Sequence, residues 1–535
     1  MQNNRHFLFL LKANLKQNSW RHLSWLLILG GLFASAAAKF NVLFGATKDI
    51  AAITKTLKTP AMVALFGEFP TEKPYTTANV FAAEMLVFMA MFMAFMNISL
   101  AIRNTRVQEE TGVLEMVRSR SVGRSAALSA TLSEIIGLNL VMGVFYVGSL
   151  IFADLNGATL LGDILFGMSL ALAGIFFGCS SLLIAQLVSS SRSAYFISYS
   201  FFGVCYILRM VTDVSKPAWT WFSPLGWVQK TYIYTQNDFW PLVLLTGSSL
   251  LLVGLAFHLA STRDINSGLL ADRPGKAQAG KFLRSPLALV MRTEKNSLIG
   301  WLFGAVILGV CYGSIFNTIG DIIGTNPTYK KMLGVTQIDT ASRQLILNFL
   351  NMLVLFFIAL AVVEGLLVCF RLKSDEQKGY LELLHAKAIT KTKLAVSYFS
   401  VGWFSSLLVY TGALAGTFFT GNALLNQPIP LKFFWRMLLT GFPAVLFFLG
   451  CGIFLIGWLP KFTNVLWLYL AGGLLVKFFG PLLNLSEKSG NFSPFGWVGK
   501  IPLTKIDTGW FIILVAGFVL LSLGGVIGYT KRDLR

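Results

Sequence analysis

The sequence predicts an all-α polytopic membrane protein, with about twelve transmembrane helices arranged as two parallel six-helix repeats. Three observations predict it. The 535 residues are 55% hydrophobic and 13% charged, against about 25% charged in an ordinary soluble domain, and mean hydropathy is +0.67. Apolar runs long enough to cross lipid recur along the whole chain. Short motifs from the first half return, in the same order, in the second.

A bilayer core needs about 20 mostly apolar residues per helix. Such runs lie at 22–44, 78–102, 126–152, 158–187, 193–212 and 238–260, then at 297–318, 344–370, 394–420, 432–459, 464–483 and 508–530. Hydrocarbon offers backbone amides no partner, so these runs must be helices rather than open strands. A barrel would show short alternating segments instead. The run at 193–212 is the weakest, because Arg209 stands near its outer end. The first run is too long for a cleaved signal and lacks a small-residue cleavage site.

Ahead of the first run, Phe7, Leu8, Leu11 and Leu15 alternate with Lys12, Lys16 and Arg21. That pattern predicts an amphipathic helix lying in the cytoplasmic interface. The plainer reading is a charged flank that sets orientation. With the N-terminus inside, 27 of the 44 Lys and Arg residues fall in the inner segments, as positive charge held on the cytoplasmic side requires. The chain is then expected to be a multi-pass membrane protein with both termini cytoplasmic. The net charge of +20 is explained without nucleic acid, and the inner rim should attract anionic lipid.

Cys179, Cys205, Cys311, Cys369 and Cys451 all stand in apolar runs without paired spacing. They read as small packing residues, not as disulfides or metal ligands. His6, His22, His258 and His385 are scattered, so no metal or acid–base cluster is expected.

The repeat is the main organising feature. After the second helix the chain reads Glu109-Glu110-Thr111-Gly112-Val113-Leu114-Glu115. The second half reads Glu376-Gln377-Lys378-Gly379-Tyr380-Leu381-Glu382, offset by 267 residues. Arg106 with Lys373, Arg120 with Lys387, and Arg124 with Lys391 keep their charge at that offset. Before each half's last helix stands Ser-Pro-x-Gly-Trp: Ser223, Pro224, Gly226 and Trp227, then Ser493, Pro494, Gly496 and Trp497. After it, Arg263-Asp264 matches Arg532-Asp533, and before the first helix Asn18-Ser19 matches Asn296-Ser297. A motif repeated on one membrane side needs an even number of crossings between copies, and six satisfies it. The halves should therefore be related by an axis along the membrane normal. Residues 1–262 form the first half, 263–296 a cytoplasmic linker with a second interfacial helix, and 297–535 the second half. Ser285-Pro286 marks a helix start in that linker.

In each Glu-x-x-Gly-x-Leu-Glu segment, glycine can end one helix and admit another. The next residues form a short amphipathic helix, and its first-turn carboxylate favours the helix dipole. Such an element suits docking into a partner's groove. An unpartnered charged loop is the plainer reading, and duplication argues against it.

These segments resemble the first cytoplasmic loop of ABC-2 type transporter permeases. The double-length layout with Ser-Pro-x-Gly-Trp loops resembles the polyketide-antibiotic exporter permeases of that family, over essentially the whole chain. The resemblance implies an exporter of hydrophobic or amphipathic compounds. It implies that Glu109, Glu110, Gly112, Leu114, Glu115, Glu376, Gly379, Leu381 and Glu382 form coupling helices that dock two separate ABC ATPase subunits. ATP and magnesium would be bound by those partners, with no cofactor and no catalytic residue in this chain. It implies extracellular Ser-Pro-x-Gly-Trp loops. Gln377 in place of Glu110, and His385 in place of Arg118, imply unequal docking sites.

No nucleotide site of the chain's own is expected. Gly275-Lys276-Ala277-Gln278-Ala279-Gly280-Lys281 has phosphate-loop spacing, but Phe282 stands where a hydroxyl belongs and no strand precedes it. Glu84, Glu134 and Glu364 fall within apolar runs, where a carboxylate usually faces a cavity or a partner. They are candidate pathway residues, Glu364 the most central, with local pairing the alternative. Met85, Met89, Met91 and Met93 with Phe88, Phe92 and Phe95 form a flexible apolar wall, read first as packing. Trp219, Trp221, Trp227 and Trp240 read as interface anchors. The competing function is an ion-gradient-driven secondary transporter. The major-facilitator signature between helices two and three is absent. A membrane-embedded transferase would need a polar catalytic cluster, and none is visible.

Overall fold

With no water to receive them, backbone amides in an apolar run pair within the run. The computed structural model accordingly contains only helices and their connections among the described residues. It describes residues 6–45, 47–58, 60–70, 75–120, 122–264, 268, 278, 280, 283–314, 316, 343–386, 389–425, 428–479, 487–499, 501–502 and 507–532. The chain divides into two compact units, Met1–Gly275 and Lys276–Arg535.

The first unit holds α1 (Phe7–Val42), α2 (Thr47–Leu57), α3 (Pro60–Phe66), α4 (Thr77–Glu110) and α5 (Val113–Arg118), then α6 (Ala126–Ala153), α7 (Leu160–Leu187), α8 (Ser191–Ser215), α9 (Pro224–Gln229) and α10 (Trp240–Thr262). The second holds α11 (Pro286–Ser314), α12 (Arg343–Gln377), α13 (Tyr380–His385), α14 (Lys391–Leu424), α15 (Leu431–Trp458), α16 (Val465–Phe479), α17 (Pro494–Trp497) and α18 (Thr508–Lys531). Among the described residues eleven helices are long and apolar enough to cross a membrane. The twelfth expected span is represented by α16, whose 15 residues reach about 22 Å. The rest of the 464–483 run lies outside the described residues. So do the end of 297–318, Asp533, and most of the linker that carries the phosphate-loop lookalike.

Two boundaries differ from expectation. No separate interfacial helix precedes the first span. The chain runs helically from Phe7 through a π-turn at Leu26–Gly30, because no helix breaker intervenes and because Asn18 and His22 bond inside the unit. In the same way, residues 286–296 continue into α11 without a break. Ser285 opens that helix as its sequence indicates, its hydroxyl accepting from the Ala288 amide at 3.2 Å.

Caps fix the other helix starts. Thr76 and Asn79 cap each other's backbone ahead of α4. Thr159, Ser190, Thr390 and Asp507 accept first-turn amides of α7, α8, α14 and α18, satisfying donors a helix start leaves open. Helix contacts rest on small residues, as they do where lipid removes the usual hydrophobic drive. A Cβ added at Gly309 of α11 would lie 2.3 Å from the Ala413 carbonyl of α14, and one at Gly313 2.6 Å from that of Thr417. Gly309→Leu should therefore separate α11 from α14 and lower unfolding stability by about 1–3 kcal/mol. The exposed Ser314→Leu should leave the thermal midpoint in detergent unchanged.

Candidate functional site

The two glycine-opened helices share one backbone geometry. Gly112 has φ 74° and Gly379 φ 73°, the left-handed region that favours glycine. Each reverses the chain after a long helix and starts a six-residue one, α5 or α13. Leu114 and Leu381 are buried and anchor these helices. Glu115 and Glu382 are exposed. Val113 is 43% exposed, Met116 74% and Tyr380, at the position equivalent to Val113, 58%.

Beneath each short helix lies a carboxylate–guanidinium clamp. Glu109, 2% exposed, accepts from Arg106 at 3.0 Å and from both terminal nitrogens of Arg263 at 2.8 and 2.9 Å. Arg106 also donates to the Ala185 carbonyl at 2.7 Å, and Arg263 to the Gln186 amide oxygen at 2.8 Å. Arg124 donates to the Arg263 carbonyl at 2.9 Å. In the second unit Arg532 grips both oxygens of Glu376. Arg532 also donates to the Ile456 carbonyl at 2.8 Å, and its own carbonyl accepts from Lys391 at 2.7 Å. Each clamp ties the residue just past the unit's last long helix to the start of the glycine turn. Half-burial lowers the Arg118 guanidinium pKa from its ordinary value, while Glu109 opposes that shift and Arg124 and Arg263 add to it.

The predicted docking residues thus divide. Glu109 and Glu376 face inward and hold the loop in place. Glu110 accepts from the Ser191 amide at 2.6 Å and from its hydroxyl, at the first turn of α8. Leu114 and Leu381 are anchors. Among the described residues the exposed positions of the short helices are Val113, Glu115 and Met116, or Tyr380 and Glu382.

The Ser-Pro-x-Gly-Trp loops also share one construction. Trp227 donates to the Trp221 carbonyl at 2.6 Å and Trp497 to that of Asn491 at 2.9 Å. A Cβ at Gly226 would lie 2.3 Å from the Thr220 oxygen, and one at Gly496 2.1 Å from that of Gly490. Pro224 and Pro494 each start a short helix after Ser223 and Ser493, and Ser223 donates to the Cys205 carbonyl at 2.7 Å. Arg209 underpins the first loop. It is fully buried, pairs with Asp213 at 3.3 Å, and donates to the Ala64 and Leu65 carbonyls at 2.8 and 3.0 Å. Asp213 in turn accepts from Thr220 at 2.7 Å. Trp219, Trp221 and Trp240 are exposed; Trp227 packs on Phe176.

The three intramembrane glutamates are not brought together. Glu84 is half-buried on α4. Glu134 is a hub: it accepts from Asn18 and His22 at 2.8 Å and from Asn104 at 2.7 Å, joining α1, α4 and α6. Glu364 of α12 is fully buried, and neither of its oxygens has a hydrogen-bond partner among the described residues. At the 267-residue offset it aligns with Asn97, which exchanges two hydrogen bonds with Asn139 at 3.0 and 2.6 Å. Asn139 aligns with Ser406, whose hydroxyl donates instead to the Ala361 carbonyl. The sequence reading missed Asn97, Asn139 and the clamp arginines as partners. The i,i+4 spacing of Arg209 and Asp213 and the i,i+3 spacing of Arg106 and Glu109 were sequence signals for buried pairs.

The fold defines a multi-pass, all-helical membrane protein. Residues 283–530 match the family described as "Multidrug efflux system permease Rv1217c, C-terminal domain". The chain is 28% identical over 443 residues to the "Multidrug efflux system permease protein Rv1217c" of Mycobacterium tuberculosis, over 81% of this chain and 78% of that protein.

Arg263→Met leaves Glu109 short of a partner in a nearly dry site and should cost about 3–5 kcal/mol. Arg532→Met, in the more exposed clamp, should cost less; unfolding of the two variants in lipid nanodiscs compares them. Glu364→Met removes an unsatisfied buried group and should stabilise by about 1–3 kcal/mol, whereas Asn139→Ala should destabilise, both read as shifts of the thermal midpoint.

Proposed function

We propose that the chain is the membrane-spanning permease subunit of an ATP-driven exporter of hydrophobic or amphipathic compounds. Two separate ABC ATPase subunits dock on α5 and α13. They bind ATP and magnesium, and their closure moves the two short helices. The observation that carries this reading is the duplicated element itself: a glycine-opened helix, anchored by a buried leucine, presenting an exposed carboxylate beside exposed Val113 and Met116 or Tyr380. An amphipathic helix held on a rigid base suits a partner's groove. Similarity to an efflux permease supports the transport role.

On this reading the clamps transmit the motion. Arg263 and Arg532 stand just past α10 and α18, so a push on either short helix is passed to the unit's last long helix through a charge-assisted pair. The chain sits in the bacterial plasma membrane, with the clamps and both termini on the cytoplasmic side and the Ser-Pro-x-Gly-Trp loops outside. It acts as a transport subunit and not as an enzyme alone.

The orphaned Glu364 favours one second reading, transport driven by an ion gradient. Purification in mild detergent from native membranes, with mass spectrometry and an ATPase assay, separates the two. Wild type should carry an ATPase. The double variant Glu115→Arg, Glu382→Arg should retain at least roughly tenfold less of it, because like charges placed across an interface cost several kcal/mol. Wild type that arrives alone, and moves cargo on a proton gradient lost in Glu364→Gln, would replace this reading with the second.

A further inference from the structure

A small cleft of about 60 Å³ opens between α1, α4 and α6. Arg21, His22 and Arg103 line it with Trp25, over a floor that includes Met96 and Leu138. Arg103 directly follows the apolar stretch Thr77–Ile102, and Arg21 precedes the apolar stretch of α1. Among the described residues neither arginine has a carboxylate partner. Glu134 lies nearby but does not line the cleft, and its oxygens are taken by Asn18, His22 and Asn104. Leu27 and Ile28 of α1 are 65% and 62% exposed, the kind of surface a bilayer covers. The cleft therefore has, among the described residues, two guanidiniums without a carboxylate partner at the level where hydrocarbon gives way to headgroups, with apolar Met96 and Leu138 in its lining.

We propose that this cleft seats the phosphate of an anionic phospholipid between Arg21 and Arg103, with the first carbons of its chains against Met96, Leu138 and Trp25. Guanidinium matches phosphate in two-pronged geometry, and a basic group near an anionic membrane surface contributes about 1 kcal/mol. The ligand would link α1 to α4 beside the Glu134 hub, so a lipid would be part of the first unit's packing. The proposal is independent of what drives transport.

The test is native mass spectrometry of the full chain released from detergent. It uses phosphatidylglycerol, phosphatidylcholine of the same chains, or inorganic phosphate alone. Wild type should retain one phosphatidylglycerol in preference to phosphatidylcholine. The double variant Arg21→Gln, Arg103→Gln should retain it roughly thirtyfold less, about fivefold for each charge removed. Arg21→Lys, Arg103→Lys keeps both charges and guards against a folding defect; it should hold most of the lipid. Lys12→Gln, Lys16→Gln alters exposed charges on the same helix outside the cleft and should bind as wild type. Equal loss in that control, no loss in the arginine-to-glutamine variant, or displacement of the lipid by an equal concentration of inorganic phosphate would each overturn the assignment.

Discussion

A bilayer core provides no hydrogen-bond partner, so every polar atom that enters it must find one in the protein. The first unit obeys this for most of its buried polar side chains, with Ser198 Oγ and Arg209 Nε among the exceptions. Its backbones are helical. Its buried amides Asn97 and Asn139 satisfy one another, in space that Gly174 leaves open: a Cβ there would lie 2.1 Å from the Asn139 oxygen. Arg209 is held by Asp213 and two carbonyls, and Asp163 accepts from the Tyr234 hydroxyl at 2.6 Å. These bonds also decide which loops are rigid. The loop at Pro217–Phe222 is tied to α8 through Thr220 and Asp213, so a buried charge pair becomes the foundation of a surface feature.

The clamps hold equivalent positions in the two units and differ in chemistry. In the first unit one carboxylate is shared by two guanidiniums, and every member is nearly dry. In the second, Lys373 stands where Arg106 would be and donates to the Thr463 hydroxyl at 3.0 Å instead, leaving Glu376 to Arg532. The link between the first two long helices has diverged further. Asn18, Asn104 and Glu134 make it in the first unit. Arg371, at the offset of Asn104, makes it with Glu294 in the second. A less buried clamp is better screened by solvent and easier to open. A load applied equally to α5 and α13 would therefore strain the first unit less than the second.

Hydropathy made the spans legible, because twenty apolar residues in a row have few other uses, and it placed most of the long helices within a few residues, while α1, α4, α11 and α12 run seven or more residues past the apolar stretch at one end. The short motifs located the glycine turns and the loops before the last helices, because a positive φ or a carbonyl in contact demands glycine whatever surrounds it. Orientation of side chains on a six-residue helix was not legible. Leu114 and Met116 look alike in sequence, yet one is buried and the other exposed. Partners distant in the chain were equally hidden: Arg263 and Glu109 are 154 residues apart, and only their parallel reappearance as Arg532 and Glu376 hinted at a shared role. Asn18 stood out only through its repeat at Asn296, and His22 only as one of four scattered histidines. They face Glu134, a residue read separately as a candidate for the transport pathway.

Glu364 gains meaning from this comparison. Of the buried carboxylates among the described residues, Glu109, Glu134, Asp163, Asp213 and Glu294 all have donors, and Glu364 has none. Its counterpart Asn97 shows that the position can hold a polar group at no penalty when the facing residue answers it. Ser406 faces elsewhere. An acid kept where an amide pair would be more stable is the pattern of a site that trades stability for function. It sits in one unit only, so its effect on that unit is asymmetric, as the clamps and the short glycine-opened helices already are.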